Sequence, residues 1–335
     1  MIILGIETSC DETSAAIVEK KDQQLILKSN IVASSIFLHT KTGGIIPENA
    51  AREQVKFILP VIEEALTKAD TKLSDIDAIA VTYGPGLIGS LLVGVETAKT
   101  LSMVLKKPLI PVNHMFGHIY ANWLENPNIE FPALALIVSG GHTDLLLIKD
   151  HGKYELLGGT RDDAAGEAFD KIGRMLGFAY PAGPLIEERA KLGNLKRFNF
   201  PRPLVGSPDY DFSFSGLKTA VLREVKNIKT LDDQTINDIC AGVQYAITNV
   251  LIKKTLKAAE KYNVKSILLS GGVAANQTLK DQFIQTTNSQ LPNTKFFAPA
   301  KNLCTDNGAM IAAAAFYNYQ EKDWQDITAN PELYY

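Results

Sequence analysis

A two-part signature occurs twice in this chain, and that duplication restricts the folds open to it more than any other feature. Residues 2–19, IILGIETSCDETSAAIVE, read as an apolar strand, a small polar turn and a second apolar strand. Residues 132–149, PALALIVSGGHTDLLLIK, repeat the scheme around a Ser-Gly-Gly turn. Residues 76–101, IDAIAVTYGPGLIGSLLVGVETAKTL, give a buried strand, a glycine-rich turn and a helix, and residues 264–283, VKSILLSGGVAANQTLKDQF, do so again. The assignments rest on apolar runs of strand length, glycine punctuation and helical periodicity after each loop.

Two related α/β units facing each other across a central cleft account for the double pattern. That is the two-domain arrangement of the actin-like ATPase (ASKHA) fold, with a doubly wound single sheet as the competitor. A polar stretch at Asn126-Pro127-Asn128 divides the chain into domains at 1–128 and 129–335, with the last helix, about Asn307 to Tyr319, able to pack back on the first domain. Residues 193–211, rich in Gly, Pro and Arg, are the longest irregular stretch and read as a mobile or binding loop. With 46% hydrophobic and 21% charged residues, the chain has the balance of a soluble globular protein. No apolar run reaches the roughly 20 residues of a membrane span, the N-terminus lacks the basic flank of a signal peptide, and Cys10, Cys240 and Cys304 form no CxxC pair. The expected location is cytoplasmic. A net charge of −3 supplies no overall attraction for nucleic acid, so any such binding needs a local basic patch or a partner.

Four strand-end loops carry the first chemistry: Thr8 to Glu12, Gly84 to Gly89, Ser139 to His142 and Ser270 to Gly272. Glycines let backbone N–H groups converge on an anion, and a following helix N-terminus adds a favourable dipole. A single such loop means only a tight turn; two pairs at equivalent places in repeated units point to phosphate. None matches GxxxxGK[ST], which excludes a P-loop NTPase.

His114 and His118 stand at i, i+4, which on a helix places both imidazoles on one face, close enough to share a metal. Met115 occupies the place where a zinc-protease motif needs its glutamate, so that mechanism is disfavoured. Asp306, just ahead of GAMIAAAAFY, either caps that helix or completes a two-histidine, one-carboxylate set suited to Fe(II) or Zn(II); spacing does not choose. In RDDAAGEAFDKIGR, 161–174, the stripe Asp163, Glu167 and Asp170 either pairs with Lys171 and Arg174 on a solvated face or offers Asp170 to ribose hydroxyls. Gly183 either serves its turn or lets the backbone approach a flat ligand.

Taken together, GIETSCDETSAAI, GGIIPENAAR, TYGPGLIGSLLVG, NHMFGH, VSGGHT, DDAAGEAFDK, DFSFSGLKTAV, SGGVAAN and CTDNGAMIA resemble, in order and over nearly the whole chain, the TsaD family of tRNA threonylcarbamoyladenosine biosynthesis proteins. The resemblance implies transfer of the threonylcarbamoyl group from L-threonylcarbamoyl-adenylate to N6 of the adenosine 3′ of the anticodon, in tRNAs reading codons that begin with A. It implies His114, His118 and Asp306 as ligands of one divalent metal, iron in this family with zinc as the alternative. Ile137, Val138, Ser139, Gly140, Gly141, Asp170, Gly183, Glu187 and Asn276 are implied to hold the adenylate. It also implies tRNA, a TsaB-like paralogue and a TsaE-like ATPase as partners, and no membrane. Asp11 and Glu12 are the candidates for taking the amine proton, against the alternative that both only order their turn.

Three positions depart from the family pattern: Phe116 where many relatives carry Glu, Ala182 for the first Gly of a Pro-Gly-Gly-Pro turn, and Glu187 where Asp is common. Rival readings are a carbamoyltransferase acting on a small acceptor, a small-molecule kinase or ATPase sharing the fold, and a non-catalytic scaffold; the last has no need of the metal-ligand positions. For tRNA the basic candidates are Lys196, Arg197, Arg202 and Lys218, while Lys253, Lys254 and Lys257 read as a solvated helix face.

Overall fold

The computed structural model describes residues 1–35 and 46–335; the first three residues of the GGIIPENAAR segment lie outside the described residues. The chain separates into two compact units, Met1–Ile129 with Pro299–Tyr335, and Glu130–Ala298. Residues 299–335, which the sequence division assigned to the second half, thus belong to the first unit.

The first unit is built from β1 (Ile2–Glu7), β2 (Glu12–Lys21), β3 (Gln24–Ser34), α1 (Pro47–Lys68), β4 (Ala78–Gly84), α2 (Ile88–Leu105), β5 (Leu109–Asn113) and α3 (His114–Tyr120). The second contains β6 (Ala133–Val138), β7 (Thr143–Asp150), β8 (Lys153–Gly159), α4 (Ala165–Met175), α5 (Gly183–Ala190), α6 (Ser215–Asn227), α7 (Asp233–Lys261), β9 (Ser266–Ser270), α8 (Gln277–Gln290) and β10 (Lys295–Phe297). The chain then returns to the first unit as α9 (Lys301–Cys304) and α10 (Gly308–Tyr317).

Both sheets have five strands in the same order: β3-β2-β1-β4-β5 in one and β8-β7-β6-β9-β10 in the other. In each, the first three strands form an antiparallel meander and the last two join parallel to the first. The repeat seen in the sequence is therefore a repeat of topology, the duplicated architecture of actin-like ATPases. Strands β1 and β6, central in their sheets, are almost wholly buried, which is why they read as unbroken apolar runs rather than alternating ones.

Parallel pairing has a consequence for loops. Residues Ile137 and Ser270 stand side by side in register, so the turns after β6 and β9 emerge together at the carboxyl ends of neighbouring strands, where ligands of open α/β sheets bind. The turns after β1 and β4 are neighbours in the same way.

Helix α10 is the buried element of the first unit. Its residues Ala309 to Ala315 are at most 1% exposed, and it packs on β1, β2 and α3. Two glycines permit this: a Cβ on Gly5 would lie 2.2 Å from the Gly308 carbonyl oxygen. The close approach seats Asp306, two residues ahead of the helix, beside α3. Helix α2 is apolar and long enough by composition to cross a membrane; here it packs on β4 and α1.

Candidate active site

In the first unit, β5 runs directly into α3, whose N-cap Asn113 accepts from the Met115 N–H at 2.8 Å. The two histidines occupy one face of this short helix, with ring centroids 4.6 Å apart. Asp306 Oδ1 lies 3.6 Å from His114 Nε2 and 3.2 Å from His118 Nε2, and the three ligand atoms fall within 4.8 Å of one another. Helix α10 is capped by Asn307, whose side chain accepts from the Met310 N–H, so the carboxylate of Asp306 is spared for the histidines. Sequence spacing left that choice open.

The far side of His114 is held by a residue that sequence reasoning passed over. Glu7, fully buried at the end of β1, places Oε2 3.2 Å from His114 Nδ1, and Ser9 Oγ is 3.1 Å from the same nitrogen. Glu7 is itself fixed by Thr82 Oγ1 and the Ser9 N–H, each donating at 2.5 Å. A carboxylate behind one ring nitrogen sets the tautomer that leaves Nε2 as the metal-facing donor. The signal was present: a lone acid ends the otherwise apolar strand IILGIE. A donor set of two imidazoles and a carboxylate, oriented by a second carboxylate, fits a divalent metal ion.

The loop of Thr8 to Glu12 is also built rather than loose. Gln54 Nε2, from α1, lies within 3.3 Å of the carbonyl oxygens of Thr8, Cys10 and Glu12, and the Ser90 hydroxyl donates to the Cys10 carbonyl at 3.0 Å. Burial, then the charges of Asp306 and Asp11 and a hydrogen bond with Asp11, push the Glu12 carboxyl well above its usual range. Burial and the same acids raise Cys10 as well. Burial works to lower His114, yet Asp306 and Glu7 outweigh it and hold the metal-free imidazole up at about 9. Acidic groups outnumber bases here, and a bound cation relieves their repulsion.

The second unit holds the other sequence candidates. Gly140 and Gly141 have no atoms within 4 Å of where a Cβ would stand, so this turn is open on its outer side. Its inner side is fixed by Ser139, whose Oγ accepts from the Gly141 and His142 N–H groups and whose carbonyl accepts from Gly166 at the start of α4. Beside it Gly271, at φ +87°, passes so close to Val138 that a Cβ would meet its carbonyl oxygen at 2.5 Å. Only glycine fits there.

Asp170 accepts from the Ala182 N–H at 2.7 Å and pins the turn that starts α5. Burial raises its pKa against the pull of the Ala182 and Gly183 N–H groups. Ala182 takes φ −90°, ψ −17°, an ordinary conformation, so losing the family's glycine leaves the turn unstrained. Glu187 accepts from both the N–H and the hydroxyl of Thr278, tying α5 to the start of α8. Asn276 caps α8 and exchanges hydrogen bonds with Gln244. The side chains of Asp170, Glu187 and Asn276 are thus committed to neighbouring backbone and side chains, while Ile137 and Val138 are buried strand residues leading into the open turn.

The basic candidates fare unequally. Arg197 pairs with Asp238 at 2.9 Å and Lys218 with Asp163 at 2.6 Å. Lys171 bridges Asp163 and Glu167 on α4, the ion-paired reading of that stripe. Lys254 does not lie on a solvated face: it is 1% exposed and ion-paired to Asp209, because the 193–211 stretch folds over it. That stretch is irregular but tied down, with Arg161 bridging Asp209 and Asp211 at 2.8 Å each.

Comparison with known proteins identifies the family. The sequence model of TsaD, tRNA N6-adenosine threonylcarbamoyltransferase, matches residues 26–313. The chain belongs to the TsaD family. It is 49% identical to the Syntrophomonas wolfei tRNA N6-adenosine threonylcarbamoyltransferase, over 98% of this chain and 96% of that one. It is 50% identical to the Symbiobacterium thermophilum protein of the same name, over 98% and 95%. Component A of the Acidaminococcus fermentans (R)-2-hydroxyglutaryl-CoA dehydratase superposes with a TM-score of 0.53 at 16% identity, covering 95% of this TsaD chain and 98% of its own, a likeness of fold alone.

Proposed function

We propose that this chain transfers a threonylcarbamoyl group to N6 of an adenosine in tRNA, with L-threonylcarbamoyl-adenylate as donor and the adenosine 3′ of the anticodon, in tRNAs reading ANN codons, as acceptor. Family membership supports the reaction, and the convergence of His114, His118 and Asp306 is the observation that carries the catalytic reading over a scaffold. An adenine amine is a weak nucleophile because its lone pair is delocalised, so the acyl carbon must arrive activated, here as a mixed anhydride with AMP. The amine nitrogen attacks that carbon, the new C–N bond forms, the C–O bond to the phosphate breaks, and AMP leaves with the bonding pair.

A divalent metal held by His114, His118 and Asp306, iron by family resemblance, supplies a Lewis acid for developing negative charge. The amine proton goes to the hydrogen-bonded Asp11 and Glu12 pair. Glu12 suits the role because it is hydrogen-bonded to Asp11, so the two carboxyls can share the proton. The open turn Ser139–Gly141, flanked by Ile137 and Val138, lets the adenylate phosphate approach the backbone closely at Gly140 and Gly141. Asp170, Glu187 and Asn276 hold Gly183 and the Ser270–Gly272 loop in place around it. A TsaB-like paralogue and a TsaE-like ATPase complete the system.

The test is nucleoside mass analysis of unmodified tRNA after incubation with this protein, the two partner proteins and the adenylate. N6-threonylcarbamoyladenosine is expected with the wild type and not with Asp11→Ala, whose metal content stays normal. Full activity of that variant removes Asp11 from the mechanism, and no modified nucleoside from the wild type overturns the reading.

A further inference from the structure

One groove of the second unit is unused by the reaction just described. It lies between α7 and α8, has a volume of about 530 Å³, and is walled by Tyr245, Asn249, Lys253, Lys257, Gln282 and Thr286 among others. On α7 the first four recur every fourth residue, so they form one continuous stripe. Lys253 and Lys257 are exposed, in contrast to the intervening Lys254. Lys253 makes no ion pair among the described residues. Lys257 donates to the carbonyl oxygens of Ser207 and Pro208, so its charge meets no carboxylate.

At one end Arg202 lies over the Tyr245 ring, 5.6 Å from its centroid, and donates to Asn249 at 3.1 Å. The rest of the wall mixes amides and a hydroxyl with the apolar Ile252, Leu256 and Leu291, and Glu260 is the acidic member of the lining. Gln244, one residue before Tyr245, pairs with Asn276 at the head of α8.

We infer that this groove binds the sugar-phosphate backbone of the tRNA substrate, with Lys253, Lys257 and Arg202 on phosphates and Tyr245 offering a ring face to an unpaired base. The inference rests on the proposed function for the identity of the polyanion. Its chemistry is that of single-stranded RNA recognition: cations along a track, an aromatic platform, and neutral amides that tolerate different bases. In a chain of net charge −3 such a track must be local, and here three cations meet one acid. Stacking on Tyr245 pre-orders Arg202, which lowers the entropy lost on binding.

The experiment measures tRNA binding by fluorescence anisotropy over a salt series, in the complex with the partner proteins. It compares the wild type with Lys253→Glu/Lys257→Glu and with Lys253→Arg/Lys257→Arg, and assays nucleoside formation at saturating tRNA in parallel. Both lysines are exposed, and unchanged thermal melting verifies that the variants are folded. The charge-reversed protein is expected to bind at least ~10-fold more weakly, with a log-log salt slope smaller by about 1.4–1.8, as loss of two phosphate contacts requires. The Arg variant is expected to retain affinity, and transfer is expected to recover in the reversed variant when tRNA is raised.

Unchanged affinity and slope in the reversed variant, with transfer intact, overturn the groove while leaving the reaction standing. Loss of partner binding with tRNA affinity unchanged overturns it in favour of an acidic protein surface. Failure of the wild type to bind or modify tRNA overturns both the groove and the reaction it rests on.

Discussion

The two units share one strand order but differ in how far their strand-end turns are closed. In the first, the turns after β1 and β4 close on each other: the Leu87 N–H donates to the Ser9 carbonyl at 2.8 Å, and a Cβ on Gly86 would meet that oxygen at 2.5 Å. The chain's own C-terminal segment covers what remains, with Asn330 bonded to Tyr83 and the Gly86 N–H donating to Pro331. In the second unit the turn after β9 presses inward in the same way, through Gly271 on Val138, but the Ser139–Gly141 turn after β6 is open, with nothing near Gly140 or Gly141. The duplicated fold thus leaves one strand-end turn open in the second unit, where the proposed reaction seats its phosphate. In the first unit the turns are filled, and the candidate metal ligands stand beyond them on α3 and ahead of α10.

That contrast can be broken in four places. His118→Ala should have the largest effect: loss of a ligand removes the charge stabilisation a bound ion supplies, several kcal/mol or ~10³-fold in transfer. Metal analysis and the nucleoside assay check it, and a variant that keeps both would detach the metal site from the reaction. Glu7→Gln should weaken metal affinity about 10–100-fold by releasing His114 from its orienting carboxylate, measured by competition with a chelator.

The third test applies one change to a filled turn and to the open one. Gly86→Ala should destabilise the protein by about 1–3 kcal/mol, since its methyl group meets backbone; Gly140→Ala should stay within ~0.5 kcal/mol in melting yet raise the KM for the adenylate. Equal melting losses would show that both turns are sealed.

The smallest effect is proton competition. The His114 pKa of about 9 in the metal-free chain exceeds its ordinary 6.5, so protonated His114 contributes stability in full below 6.5, and that contribution is lost as pH rises through about 9. A metal must displace this proton, so apparent affinity should climb about tenfold per pH unit up to that point and then level off. A flat titration would mean that His114 is not a ligand.

The strands, glycine turns and histidine pair were legible in the sequence because each is specified locally, by apolar runs, glycine punctuation and an i, i+4 spacing. Convergence was not. Nothing in the spacing of Asp306 tells whether it caps or coordinates, because that depends on Gly5 and Gly308 letting α10 lie against β1. The commitment of Asn276 to Gln244, and of Lys254 to Asp209, likewise depends on which helices become neighbours, and helical periodicity does not report this. Glu7 was readable as an acid in an apolar strand but needed β5 and α3 to give it a partner.

The place of Asp306 in the chain has a kinetic side. The residue that would complete the metal site follows the whole of the second unit in sequence, whereas β1 and the two histidines precede that unit. On a ribosome the two histidines emerge early and must wait for a carboxylate that comes out only after the intervening unit. A bound ion would then act as a clasp across a very long loop, and long loops carry the largest closure entropy in the unfolded chain. A chain cut just before that aspartate would keep every named strand but lack the carboxylate of the proposed site, so metal loading would report synthesis through Asp306.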